Sequence, residues 1–235
     1  MLNLTVNSWL IFNQKKLCIL CDQRSHNELP ICRDCQADLP WLRTKCQHCS
    51  LPLLKPTKDT LLCPNCLKRP PPFYRITAAF HYRFPVNQLI MRGKFNRQPA
   101  YLALLARLMI EKLDLSTPPD VLIPVPIHYA RLRQREYNQA FLIAKIIAQQ
   151  LCIKLDCKLI KKSRNTEQQA DLDAKARRRN LRNSFSCLKK PPRHVAIIDD
   201  VVTTGATATE ITRVLRKAGC KRVEIWAIAR TGKQD

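Results

Sequence analysis

The segment Val195-Ala-Ile-Ile-Asp-Asp-Val-Val-Thr-Thr-Gly-Ala-Thr207 constrains the fold more than any other stretch of the chain. Val195 to Ile198 is a short apolar run containing β-branched residues, which predicts a buried strand with two carboxylates, Asp199 and Asp200, at its C-terminal end. A Thr- and Gly-rich loop follows. Thr207-Ala-Thr-Glu210 has the spacing of a capping box and predicts a helix opening at Thr207, with Gly219 as its stop. A strand that hands such a turn to a helix N-terminus gathers backbone N–H groups, hydroxyls and the positive end of the helix dipole around one point. That is an anion site suited to phosphate. Asp199 and Asp200 fall beside it, placed to accept hydrogen bonds from sugar hydroxyls. The alternative is an ordinary connecting turn with a capping threonine. The order of strand, acidic pair, Thr-Thr-Gly-x-Thr turn and helix favours the anion site.

From Phe73 onward, strand-like and helix-like segments alternate. Ile76 to Tyr82, Val121 to Val125 and Arg222 to Ala229 read as strands, with a short one over Cys157 to Ile160. Pro99 to Leu113, Asn138 to Leu151 and Thr207 to Ala218 read as helices. Such alternation predicts an α/β fold with a parallel sheet. Ligands on parallel sheets bind at the carboxyl ends of the strands, where the Asp199-Asp200 pair and the Pro124-Val-Pro126 turn both lie.

Residues 1 to 70 are a different compositional unit. They hold eight of the twelve cysteines as four Cys-x-x-Cys pairs, Cys18/Cys21, Cys32/Cys35, Cys46/Cys49 and Cys63/Cys66. Two intervening residues let one tight turn direct both sulfurs at the same metal, so four pairs make two structural four-cysteine zinc sites. Pairing in sequence order gives two zinc ribbons, and a cross-braced arrangement is equally compatible with the spacing. A disulfide framework would need an oxidising compartment, and the N-terminus shows no secretory pattern. His26 and His48 are expected at the surface. Cys152, Cys157, Cys187 and Cys220 have no partner at ligand spacing and are expected to be small buried hydrophobes. The run Arg69-Pro-Pro-Pro72 reads as a stiff linker to a second domain over 71–235.

No run of 18 apolar residues is present, so a membrane span is not expected, and with no secretory pattern the chain reads as intracellular. The formal charge is +23. Two zinc ions on eight thiolates lower that to about +19. A surface this basic attracts polyanions, nucleic acid first. Two elements concentrate the charge. Arg131, Arg133 and Arg135 recur at every second residue between the Pro124-Val-Pro126 turn and Asn138-Gln139, a spacing suited to an extended loop reaching over an anion. Lys161, Lys162, Arg164, Arg177, Arg178, Arg179 and Arg182 lie in a stretch with eight basic residues against three acids. This stretch can neutralise several phosphates. Aromatic residues near it are few, so base stacking there is not strongly indicated; Phe185, Tyr137, Phe95 and Trp41 are the candidates.

The run Asp199-Asp-Val201-Val202-Thr203-Thr204-Gly205-Ala206-Thr207 resembles the 5-phosphoribosyl-1-pyrophosphate (PRPP) loop of the type I phosphoribosyltransferase fold. With the four cysteine pairs, Pro70-Pro-Pro72, Lys94-Phe95, Pro124-Val-Pro126, Asn138-Gln139, Gln169 and Arg179-Asn-Leu181, nearly the whole chain is similar to the competence-associated ComF family. The resemblance implies an N-terminal double zinc ribbon followed by a phosphoribosyltransferase-like domain. It also implies a cytoplasmic role in natural transformation, receiving incoming single-stranded DNA near a helicase and DNA-processing proteins. In that fold Arg131, Arg133, Arg135, Asn138 and Gln139 belong to the pyrophosphate loop. The chain departs from the family's Arg-Gly-Phe-Asn-Gln pattern, having Arg135-Glu-Tyr-Asn-Gln139. Glu136 narrows the backbone choices open to a glycine and adds a negative charge where pyrophosphate is expected.

Three functions fit these features. One is a DNA-handling competence protein with a PRPP-type binding site. A second is an active phosphoribosyltransferase using PRPP and Mg²⁺ on a nucleobase or amine, in which Asp199 and Asp200 orient the ribose and Thr203 to Thr207 grip the 5-phosphate. Such an enzyme needs a hood over the base. None is expected after the last strand, so Phe73 to Leu115 is the stretch available to supply it. The third is a PRPP-responsive regulator that binds nucleic acid.

Overall fold

The computed structural model describes residues 17–53, 61–95, 98–128, 137–163, 181 and 183–232. Its centre is a four-stranded sheet made of β1 (Arg75–His81), β2 (Val121–Pro124), β5 (His194–Val202) and β6 (Arg222–Arg230) in the order β1-β6-β5-β2. Every pairing is parallel. β3 (Ile160–Lys162) and β4 (Phe185–Cys187) form a separate antiparallel pair. The helices are α1 (Arg33–Ala37), α2 (Pro64–Lys68), α3 (Val86–Phe95), α4 (Pro99–Ile110), α5 (Gln139–Leu151) and α6 (Ala206–Lys217).

The sheet is buried on both faces, as the unbroken apolar runs in β5 and β6 require. Side chains alternate across a strand. Ala196 and Ile198 of β5 therefore join Trp226 and Ile228 of β6 in a core with α4 and α5. Val195 and Ile197 join Val223 and Ile225 beneath Ile211 and Leu215 of α6 and Phe185 of the small hairpin. The first cysteine segment is not set apart from this architecture: Cys18, Ile31 and Leu39 belong to the same core as α4 and α5. Trp41 packs on Phe80 of β1 with ring centroids 4.5 Å apart. Backbone bonds from Leu42 to Ala79 O, from Ile76 to His48 O and from His81 to Pro40 O cover the outer edge of β1. Covering that edge blocks pairing with another chain.

Several expectations shift. The helix expected to open at Thr207 begins at Ala206, with Gly205 as N-cap and no side-chain cap bond. Glu210 is therefore not a capping-box partner; its Oε1 accepts from the Asn183 N–H at 2.9 Å. Gly205 holds φ 74°, the left-handed region where glycine carries no Cβ penalty, so the backbone turn itself starts the helix. The strand expected over Val195 to Ile198 extends through Val202, because pairing with β6 continues to Val202↔Arg230. The short strand expected over Cys157 to Ile160 instead covers Ile160–Lys162. Cys152 and Cys157 are exposed, Cys187 is half-buried, and of the four only Cys220 is buried. His26 is exposed, whereas His48 is half-buried and its Nε2 lies 3.0 Å from Phe73 O.

The strand and helix readings of the sequence did not include α3. It packs on α4 so closely that a Cβ on Gly93 would lie 2.5 Å from Leu102 Cγ. Leu102 is fully buried and cannot retreat without disturbing the α3–α4 core. Gly93→Ala should therefore destabilise the protein by about 1–3 kcal/mol despite its better helix propensity, seen as a lower urea midpoint at unchanged m-value.

Candidate functional site

The two cysteine quartets share one construction. In each, the first Cys-x-x-Cys is a knuckle closed by a positive-φ residue, Asp22 (φ 58°) after Cys21 and Ser50 (φ 52°) after Cys49. Asp22 N–H donates to Cys18 O and Ser50 N–H to Cys46 O, each at 2.9 Å. The second pair begins a short helix: Cys32 caps α1 and Cys63 precedes α2. The four sulfurs of Cys18, Cys21, Cys32 and Cys35 lie within 4.8 Å of one another, as do those of Cys46, Cys49, Cys63 and Cys66. Pairing is thus sequential, not cross-braced. Sulfurs about 2.3 Å from a tetrahedral zinc are separated by roughly 3.8 Å. The Cys21–Cys32 and Cys49–Cys63 sulfur separations are 3.8 and 3.7 Å. Backbone N–H groups also point at the sulfurs, Cys35 N to Cys32 Sγ and Cys63 N to Cys46 Sγ. Both quartets fit Zn²⁺ with no ligand position left open, which suits a structural ion.

At the carboxyl end of the sheet, β5 delivers Asp199 and Asp200 and then the Thr203-Thr204-Gly205 turn. Val201 is half-buried and Val202 is buried, so these two hold the strand end while Thr203 is exposed. Thr204 Oγ1 accepts from Ala206 N–H, and Thr209 N–H makes the first helical bond to Gly205 O. The N-cap Gly205 offers no side-chain cap, so beyond the Ala206 N–H held by Thr204 the N–H groups of the first turn of α6, Thr207 among them, face the loop with the positive end of the helix dipole. The acidic pair is internally organised. Asp200 N–H donates to Asp199 Oδ1 and Val201 N–H to Asp200 Oδ1. Lys94 of α3 reaches across and places its ammonium 2.5 Å from Asp200 Oδ2. The stretch expected to overhang the site, Phe73 to Leu115, thus contributes a cation directly to the acidic pair.

Arg230, at the end of β6, lies behind the loop and is buried. Its guanidinium donates to the carbonyls of Val202, Thr203 and Thr231 and, through Nε, to Cys49 O of the second knuckle. Burial pushes its pKa down, and the second cysteine cluster opposes that shift. A zinc-bound four-thiolate site carries a net −2, which suits a buried guanidinium beside it. Loop and knuckle are therefore held by one side chain. The sequence reading did not use Arg230; a charged residue closing the run Ile225 to Ala229 was the available signal.

The other expected site residues are spread more widely. Asn138 caps α5 by accepting from Ala140 N–H, and its amide donates to Val125 O, fastening α5 to the end of β2. Gln139 is buried, and its Nε2 has no hydrogen-bond partner among the described residues. Lys161 and Lys162 lie on β3, with Lys162 Nζ 5.9 Å from the buried Phe185 ring. Arg131, Arg133, Arg135, Arg164, Arg177, Arg178, Arg179 and Arg182 lie outside the described residues.

A parallel sheet with an acidic pair and phosphate-type loop at its carboxyl edge, joined to two four-cysteine knuckles, defines a phosphoribosyltransferase-fold protein with a double zinc ribbon. Residues 92–235 match the phosphoribosyl transferase domain and residues 9–67 the double zinc ribbon domain. The DNA utilization protein YhgH of Escherichia coli O157:H7 is 36% identical over 208 residues, covering 86% of this chain and 90% of the relative. Competence protein F of Haemophilus influenzae is 34% identical over 224 residues, 91% of this chain and 90% of that protein. The YhgH protein of Salmonella typhimurium is 34% identical, with 92% and 97% covered. The chain belongs to the ComF family of competence protein F and the YhgH proteins.

Two outcomes test this geometry. Burial, reinforced by the neighbouring Asp200 carboxylate, pushes the Asp199 carboxyl well above the usual range, with Lys94 opposing. A raised carboxyl pKa means that the unfolded state loses its proton first. The contribution of this group to stability is then fully present below about pH 4 and is lost as pH rises toward the folded-state value. Asp199→Asn should match the parent near pH 4 and exceed it at pH 8 in paired urea titrations. Arg230→Met leaves four carbonyls without their donor and should cost on the order of 3 kcal/mol, read as a lower unfolding midpoint.

Proposed function

We propose that this protein handles incoming single-stranded DNA during uptake and carries a PRPP-type phosphoribosyl-binding site at the carboxyl edge of its sheet. The observation that carries the binding site is the α6 N-terminus, opened by Gly205 with no N-cap side chain and set beside the Asp199-Asp200 pair. It offers N–H donors for a 5-phosphate and carboxylate acceptors for ribose hydroxyls within one loop. DNA handling is supported by the +23 formal charge and by the names of the relatives, a competence protein and DNA utilization proteins. We place the domain boundary near residue 70, and the protein's action in the cytoplasm near a helicase and DNA-processing proteins. No helix among the described residues is long and apolar enough to cross a membrane.

In this reading Thr203, Thr204, Gly205, Ala206 and Thr207 surround the 5-phosphate, while Asp199 and Asp200 face the ribose. Lys94 neutralises Asp200 when the site is empty and turns to a ligand phosphate when it is filled. Among the described residues, the two cysteine quartets are the only gathered groups of three or more metal-ligand side chains. Mg²⁺ would therefore arrive on the ligand's own pyrophosphate oxygens, where it offsets their charge.

The test is calorimetric titration of the zinc-loaded protein with PRPP and Mg²⁺, with and without a short oligonucleotide. Asp199→Ala/Asp200→Ala should weaken PRPP binding on the order of tenfold or more per carboxylate. A change in PRPP affinity on adding DNA would show that the ligands are linked. No heat from the parent protein would overturn the phosphoribosyl assignment and leave the loop as a structural turn.

A further inference from the structure

The strand ends opposite the phosphate loop carry a second constellation. Glu224, 1% exposed, lies where the amino ends of β1, β5 and β6 meet. Its carboxylate accepts from Arg75 at 3.3 Å, from Arg222 at 2.6 and 3.0 Å, and from the Trp226 indole at 3.2 Å. A buried carboxylate shared this way locks both guanidinium groups in place before any ligand arrives. Both reach Tyr74: the Arg222 guanidinium lies 4.0 Å and that of Arg75 5.6 Å from the ring centroid. Tyr74 itself stays 53% exposed.

Tyr74 and His48 form the common wall of two cavities of about 770 and 650 Å³. Each lies in the range of roughly 300–1,000 Å³ that takes a small organic group. Arg43, Lys45 and Lys112 add charge to the first, Arg216 and Lys221 to the second. Among the described residues, the only acid lining either cavity is Asp114, already paired with Arg75 at 3.0 Å. Arg43, Lys112, Arg216 and Lys221 are all exposed.

We infer that these joined cavities form a single-stranded nucleic-acid groove, in which an unpaired base stacks on Tyr74 and the flanking phosphates meet the cations of both cavities. The inference rests on the DNA-handling reading above and locates its contact surface. Single strands suit this surface because only an unpaired base offers a free π-face to an aromatic platform inside a basic channel. Cations on both sides of one ring follow a backbone that passes through the groove. The concave form disfavours a flat lipid surface. The Tyr74–Arg222 part of this groove lies at the opposite end of β6 from the phosphate loop: the nine-residue strand runs from Arg222 to Arg230, about 26 Å at the usual strand rise.

The test uses the full-length zinc-loaded protein and a fluorescent 15-nucleotide oligothymidine. Tyr74→Ala should weaken binding about tenfold, in line with the loss of one stacked base. Arg43→Ala/Lys221→Ala removes two exposed cations that take no part in the Glu224 cluster. It should lower the slope of log affinity against log salt by about 1.4. Circular dichroism and two bound zinc ions per chain check that the variants stay folded; Tyr74→Phe, which keeps the ring, should bind as the parent does. If the parent binds the oligonucleotide while all three variants retain its affinity and salt slope, the groove is overturned and the DNA-handling reading stands. If the parent does not bind, that reading itself fails. Equal affinity for a 15-base-pair duplex, or equal displacement by a polyglutamate peptide, would overturn the single-strand assignment.

Discussion

The buried guanidinium of Arg230 joins the two halves of this molecule. It reaches the Cys49 carbonyl in the second cysteine knuckle and the carbonyls that turn the chain from β5 into α6. A buried Arg is tolerable only where its donors are used and its charge is balanced. Here the carbonyls supply the first condition, and the thiolate cluster supplies the second. The phosphate-type loop is consequently not a free surface turn. Its backbone is held by a residue that also bonds the knuckle carbonyl of Cys49.

The parallel sheet sorts the remaining chemistry into two ends. Because all four strands run the same way, their carboxyl ends collect Asp199, Asp200 and the start of α6 at one edge. Lys94 comes over that edge from α3, and Asn138 fastens α5 to it. Their amino ends collect Glu224 with Arg75 and Arg222 at the other. The cysteine segment runs along the outer edge of β1 between these two ends, so it contributes to both: Cys49 O behind the loop, and Arg43 and His48 in the basic groove. The two ends thus differ in character: paired carboxylates and a helix N-terminus at one, guanidinium groups around an exposed Tyr74 ring at the other.

The parts of this arrangement that could be read from sequence depend on local physics. Cys-x-x-Cys spacing limits which sulfurs can share a metal, and the strand-acid-turn-helix order at Val195 to Thr207 limits where a phosphate can sit. The parts that escaped depend on contacts between distant segments. The capping box at Thr207 was a sound local pattern, yet Glu210 holds the distant Asn183 and the Gly205 turn starts the helix one residue early. Helix α3 was missed although it carries Lys94. Its burial comes from close packing against α4, which Gly93 allows and which no repeat in ten residues reveals. Cys152 and Cys157 were expected inside because free cysteine usually packs there. Their placement follows from the turn after α5, where Cys152 takes φ 54°.

By itself the sequence determined the metal ligands, the parallel α/β class and the position of the phosphate-type loop, because each is encoded by residues only a few positions apart. It also determined the strongly positive charge. Tertiary structure alone decided the sequential pairing of the cysteines, the burial of the first ribbon in the main core and the union of Lys94 with Asp200. It also decided that Arg230 would tie knuckle to loop and that Tyr74 would lie between Arg75 and Arg222. The Lys94–Asp200, Tyr74–Arg222 and Cys49–Arg230 contacts join residues from about 100 to more than 180 positions apart. At such separations a contact is set by which faces must be buried together, and that is a property of the packed chain rather than of any segment within it.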